Sequence, residues 1–252
     1  MKPRAIINVF TTLGMISVNA LAVTLPLNHQ STKEISDRFP VLFTPAGYVF
    51  SIWGIIYLGM IAYSIYQALP SQQDNPRLER VGWWFSLSNL LNAGWIFLWH
   101  YNFFTLSLLV MFALLGSLLM VYTRLGIGAH APSRQEMWLV NVPFSIYLGW
   151  ISVATIANFS VSAYNLGWNG FGAPVVFTLA VLAVGITLGA LMITRRHEIA
   201  YPLVLVWAFI GIYMKQHGGG NQVVAIAGLV AAGAIAGFLI AARTMKNKWV
   251  NP

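Results

Sequence analysis

There is no cysteine in the chain, so disulfides, thiolate metal sites and cysteine nucleophiles are excluded. Charge is almost as scarce: Asp, Glu, Lys and Arg together make up 8% of the 252 residues, against 58% apolar. That is too little charge to cover a soluble globule of this size, and the chain reads as a membrane protein. The six acidic residues, Glu34, Asp37, Asp74, Glu79, Glu136 and Glu198, all fall between the apolar stretches. Proton-coupled transport generally uses carboxylates or histidines at membrane depth, so their absence there argues against it. A mid-membrane lysine for a Schiff base is also missing, because Lys215 sits at the end of a stretch. His29, His100, His130, His197 and His217 do not pair at metal-ligand spacing, and His100 reads as an interfacial residue. No nucleophile lies beside a base, so neither a catalytic residue nor a metal site is assigned.

What is abundant is apolar sequence in long runs. A helical span needs roughly 20 such residues to cross about 30 Å of hydrocarbon. Eight runs approach this, at approximately 5–27, 42–68, 82–99, 103–123, 137–161, 173–194, 199–214 and 222–242. They are continuous rather than alternating, which favours helices over a barrel. The expected fold is all-α: a polytopic transmembrane bundle of about eight spans in the cell membrane. With the amino terminus inside, Lys2, Arg4, Arg77, Arg80, Arg124, Arg134, Arg195, Arg196, Arg243, Lys246 and Lys248 fall on the cytoplasmic side. Lys33, Arg38 and Lys215 fall outside, so the distribution places both termini in the cytoplasm. The net charge of +8 then requires no nucleic acid, since anionic headgroups of the bilayer suffice. Met1–Ala22 has the form of a signal peptide ending in Ala20-Leu21-Ala22, but its apolar run is long enough to read as the first span.

The segment from about 28 to 41 is the longest polar connection, suited either to closing a pocket mouth or to a plain solvated linker. Spans three and four are joined by little more than His100, Tyr101 and Asn102, which requires a helical hairpin. Tyr164, Trp168 and Phe171, in the connection after span five, read as headgroup anchors. Gly185-x-x-x-Gly189 and Gly233-x-x-x-Gly237 permit close helix approach, for internal packing or a homodimer.

Polar and aromatic residues within the spans are the candidates for function. Span two supplies Tyr48, then Phe50, Trp53 and Tyr57 on one helical face. Span three supplies Asn89 and Asn92, followed by Trp95 and Trp99 on the same face. Span five places Trp150, Ala154 and Asn158 at spacing four. These residues could line one aromatic cavity, although amides in membrane helices also serve simply to bond helices together.

The stretches Pro45-x-Gly-Tyr-x-Phe-x-x-Trp53-x-x-x-Tyr57, Asn92-x-x-Trp95 and Trp150-Ile-Ser-Val-Ala154-Thr-Ile-Ala157-Asn158 resemble, in order, signatures of the TspO/MBR family of tryptophan-rich sensory or translocator proteins. The likeness covers about the first 165 residues. It implies a five-helix domain at 1–165 and a three-helix extension at 166–252. It further implies a pocket for porphyrins or sterol-like molecules, closed by the loop after span one, with Trp53, Asn89, Asn92, Trp150 and Ala154 at pocket positions. The chain departs from the family at Pro45-Ala46, where the family has two prolines, at Tyr48, where it has Trp, and at Ser162-Ala163, where it has Trp-Arg. A sterol-like pattern, Leu119-x-x-Tyr122-x-Arg124, occurs in span four. The expected function is binding of an apolar planar ligand such as protoporphyrin IX or haem, with no obligatory cofactor. The alternatives are transport of such compounds or, third, a membrane enzyme acting on the ligand.

Overall fold

The computed structural model describes residues 2–25 and 27–250, with side chains through Thr244. Among them are eight long helices: α1 (Pro3–Thr24), α2 (Ile52–Ala68), α3 (Trp84–His100), α4 (Phe104–Arg124), α5 (Val142–Asn165), α6 (Pro174–Arg196), α7 (Ala200–His217) and α8 (Gln222–Val250). No strand occurs among the described residues. Six helical stretches are long and apolar enough to cross a membrane, those containing α1, α2, α4, α5, α6 and α8. The other two fall short for identifiable reasons. Helix α3 has 17 residues, about 26 Å at 1.5 Å per residue, and carries Ser86, Ser88, Asn89 and Asn92. Helix α7 ends in Lys215, Gln216 and His217.

Helices α1 to α5 close a ring. Helix α1 packs on α2 and α3, α3 on α4, α4 on α5, and α5 back on α2. The α3–α4 hairpin turns through Asn102, whose φ of +64° is the left-handed conformation that asparagine tolerates. Helices α6, α7 and α8 form a second group, docked through α7 onto α5 and onto the 3₁₀ turn Gly47–Ser51 that leads into α2. Gly185 and Gly189 serve this packing: a Cβ there would meet the Phe209 ring and Ile235 respectively. A Cβ at Gly233 or Gly237 would meet nothing within 4 Å, so that pair takes no part in it.

Lipid offers little hydrophobic force between helices, so packing and interhelical hydrogen bonds hold them, at an average of about 0.6 kcal/mol per bond. Helix α1 is bonded along its length. Ser86 Oγ donates to Asn8 Oδ1 at 2.6 Å, Thr12 shares a hydrogen bond with Ser64 at 2.8 Å, and Asn19 Nδ2 donates to Asn92 Oδ1 at 2.7 Å. The end of the bundle that carries the amino terminus is fastened by charge. Lys2 pairs with Glu79 and with Asp74, and Arg77 joins three segments. The Arg77 guanidinium donates to Leu125 O at 2.7 Å, to Glu136 at 3.1 Å and to Asn141 Oδ1.

Candidate ligand-binding chamber

At the opposite end the connection after α1 lies over the ring as a roof. Its short helix Thr32–Asp37 starts at a capping box: Ser31 Oγ accepts from the Glu34 amide, and the Glu34 carboxylate accepts from the Ser31 amide at 2.7 Å. The roof is tied to α3 through His100, which is fully buried beneath it. Its carbonyl accepts from Asn28 Nδ2 at 3.0 Å and from Gln30. Its ring Nδ1 faces Leu27 O at 3.2 Å, and a carbonyl only accepts, so the proton is on Nδ1. In the neutral ring Nε2 then accepts from Thr32 Oγ1, 3.0 Å away. A second set of ties runs to α7. Lys215 Nζ donates to Asp37 at 2.8 Å, Gln216 Nε2 to Leu42 O at 3.0 Å, and the Ala46 amide to Gly211 O at 3.0 Å. Burial pushes the Asp37 carboxyl up, but hydrogen bonds from Lys215 and Lys33 outweigh it and leave the group below the usual carboxylate range. A depressed carboxylate contributes above its ordinary range and is lost only as pH falls through the lowered value, so this tie is intact at neutral pH.

Beneath the roof is a chamber of about 40 Å³. Phe50 enters it from the 3₁₀ turn and Trp53 from the start of α2, Trp95 and Trp99 from α3, and Trp150, Ala154 and Asn158 from α5. Trp95 and Trp99 stack with ring centres 5.6 Å apart, and Trp150 meets Phe50 and Trp53 edge-on at 5.8 and 6.2 Å. Asn158 orients one wall, accepting from Trp95 Nε1 at 2.9 Å and donating to Ser107 Oγ at 3.0 Å. None of the lining residues is charged. Two polar atoms in this wall, Thr44 Oγ1 and Trp150 Nε1, are buried without a hydrogen-bond partner. An unsatisfied buried donor costs about 1–3 kcal/mol, so native interiors seldom leave one unexplained.

Seven of the eleven residues expected from the sequence therefore meet at one chamber, and four lie elsewhere. Tyr57 stacks behind Trp53 at 5.5 Å and does not line it. Tyr48 lies on the 3₁₀ turn, where three residues complete a turn, and it faces outward against Trp207 with 41% of its surface exposed. Asn89 and Asn92 bond to α1: Asn89 Nδ2 donates to Thr12 Oγ1 at 3.0 Å, and Asn92 accepts from Asn19. The polar lining residues that the sequence did not single out are Thr44 and the roof's Thr32 and Ser36. Their hydroxyls carry no periodic signal, and only Thr44's place next to Pro45 hints at a role.

The family model for TSPO-like proteins matches residues 5–241. The chain belongs to the TSPO-like protein family. It is an integral, multi-pass membrane protein of that type, and the matched region runs through all eight long helices. No curated protein and no solved structure matches the chain. In this TSPO-like protein the sterol-like pattern of α4 is not one surface, because Leu119 is exposed while Tyr122 is buried. A much larger cleft, about 650 Å³, lies outside the chamber between α2, α5 and α7. It shares none of the lining residues of the tryptophan chamber.

Proposed function

We propose that this TSPO-like protein binds a flat, apolar tetrapyrrole such as protoporphyrin IX in the chamber under the roof. The observation that carries the reading is the pair of orphaned polar atoms, Thr44 Oγ1 and Trp150 Nε1, set in a wall of indole and phenyl rings. The rings supply faces and edges for a planar π-system, and the two donors suit its polar rim. Haem is the poorer fit, because no histidine lines the chamber and both ring nitrogens of His100 are engaged by the roof. The present volume, about 40 Å³, is far below the roughly 300–1,000 Å³ of small-molecule pockets. Binding therefore requires the roof to lift and the Phe50, Trp53 and Trp150 rings to part.

Titration of the purified protein with protoporphyrin IX, followed by tryptophan quenching and the Soret band, tests this. The expected result is one ligand per chain, with Thr44→Val and Trp150→Phe each weakening binding about five- to tenfold, the equivalent of about 1 kcal/mol per lost hydrogen bond. Unsaturable quenching, or affinity indifferent to both changes, overturns the reading. The roof makes a kinetic prediction as well. Lys215→Ala removes one tie to α7, and a partly exposed ion pair holds at most about 1 kcal/mol. Stopped-flow association should accelerate by up to about fivefold. An unchanged rate would mean that the roof is not what admits the ligand.

A further inference from the structure

The cleft of about 650 Å³ opens on the flank of the bundle. Its walls are Ile52 and Ile55 from α2, Ile146 from α5, and Leu203 and Trp207 from α7. Ile55 and Leu203 are half exposed, so the walls face the bilayer. Polar groups gather at one end, the end of the bundle that carries the amino terminus. There His197 and Glu198, from the short connection between α6 and α7, and Arg243 from α8 all line the cleft, with Trp138 alongside and 64% exposed. An exposed indole at the foot of a membrane helix marks the headgroup level.

Glu198 is the informative residue. Its carboxyl is half-buried, and burial pushes it up; the Ser145 and Tyr122 hydroxyls and the Tyr201 and Ile199 amides act in the opposite direction. The two hydroxyls are buried and close no hydrogen bond of ordinary geometry. Among the described residues no cation pairs with Glu198. A partly desolvated carboxylate at the mouth of an apolar cleft is completed by a cation that can donate hydrogen bonds. The guanidinium of Arg243, at the same rim, is completed by a phosphate.

We propose that the cleft is a lipid site for an aminophospholipid of the phosphatidylethanolamine class, with an acyl chain along α7, the ammonium at Glu198 and the phosphate at Arg243. One carboxylate and one guanidinium match a zwitterion. Phosphatidylglycerol brings a net negative charge and no ammonium for Glu198. Phosphatidylcholine brings a quaternary ammonium with no N–H to donate. The site is separate from the tryptophan chamber and stands whether or not a tetrapyrrole binds there.

Native mass spectrometry of the full-length protein, exchanged into detergent with equal amounts of phosphatidylethanolamine, phosphatidylcholine and phosphatidylglycerol, tests the assignment. The expected result is one retained phosphatidylethanolamine per chain, at least tenfold over the other two. Glu198→Gln should erase the preference over phosphatidylcholine, and Arg243→Gln should weaken retention of all three. Leu203→Trp, which fills the cleft without touching the rim, should displace the lipid, and unchanged thermal melts confirm that each variant is folded. Water-soluble phosphoethanolamine should not compete, because the chain supplies the anchorage. Equal retention of the three lipids, a preference that survives Glu198→Gln, or displacement by phosphoethanolamine overturns the proposal.

Discussion

Ala154→Phe should abolish protoporphyrin IX binding while leaving a folded protein. Ala154 sits one helical turn after Trp150 and one before Asn158, and it lines the chamber. A benzyl group there occupies the small void and the space into which the Trp53 and Trp150 rings must part. Overpacking of this kind costs about 1–3 kcal/mol of stability, visible as a lower melting temperature. The loss in affinity should be far larger, at least roughly 100-fold, the equivalent of about 2.7 kcal/mol. Quenching titrations of wild type and variant measure it directly. Native affinity in Ala154→Phe would move the ligand out of the chamber, and the flank cleft would be the first place to look.

The second large effect is on stability at the opposite end. Arg77 is mostly buried and holds the Leu125 carbonyl, Glu136 and Asn141 at once, joining the α2–α3 connection to the end of α4 and the start of α5. Arg77→Met keeps much of the aliphatic stem but leaves a carboxylate, an amide oxygen and a carbonyl without their donor. Removing one partner of a buried ion pair costs about 3–5 kcal/mol, and the residual exposure of Arg77 and Glu136 argues for the lower end. At about 2–4 °C per kcal/mol for a chain of this size, the melting temperature should fall by roughly 6–12 °C. Tetrapyrrole affinity of the folded protein should not change, because Arg77 is remote from the chamber. A melting shift within about 2 °C, at most about 1 kcal/mol on that scale, would show that the three segments are held by helix packing alone.

The chamber was partly legible in the sequence because helical spacing reports faces. Trp150, Ala154 and Asn158 lie four apart, and α5 presents all three to one cavity. The reading of α3 went wrong where depth mattered. Asn92 and Trp99 share a face, but at the level of Asn92 that face meets Asn19 of α1, whereas at the level of Trp99 α1 has ended and the roof has begun. Spacing fixes an angle around a helix and carries no information about which neighbour occupies that angle at a given height. Tyr48 and Phe50 share one 3₁₀ turn, yet only Phe50 enters the chamber while Tyr48 packs outward on Trp207, a contact with α7 that aromatic content alone does not reveal. Glu198 lies in the connection between α6 and α7, and its half-burial depends on how tightly the two are joined, which composition does not encode. His100 is buried only because a distant loop folds over it.

Tetrapyrrole entry into so small a chamber requires movement of a roof that is fastened to α7. The chain has no cysteine, so a pair introduced at Asp37 and Lys215 can be joined by a bifunctional thiosulfonate reagent and released by reductant without side reaction. The measurement is protoporphyrin IX association in the same sample, joined and then released, with each single-cysteine variant as control. Binding should be undetectable while the roof is joined to α7 and should return to saturable, one-per-chain association on reduction. Equal saturable binding in both states would refute roof-gated binding, because the ligand would then reach its site without the roof moving.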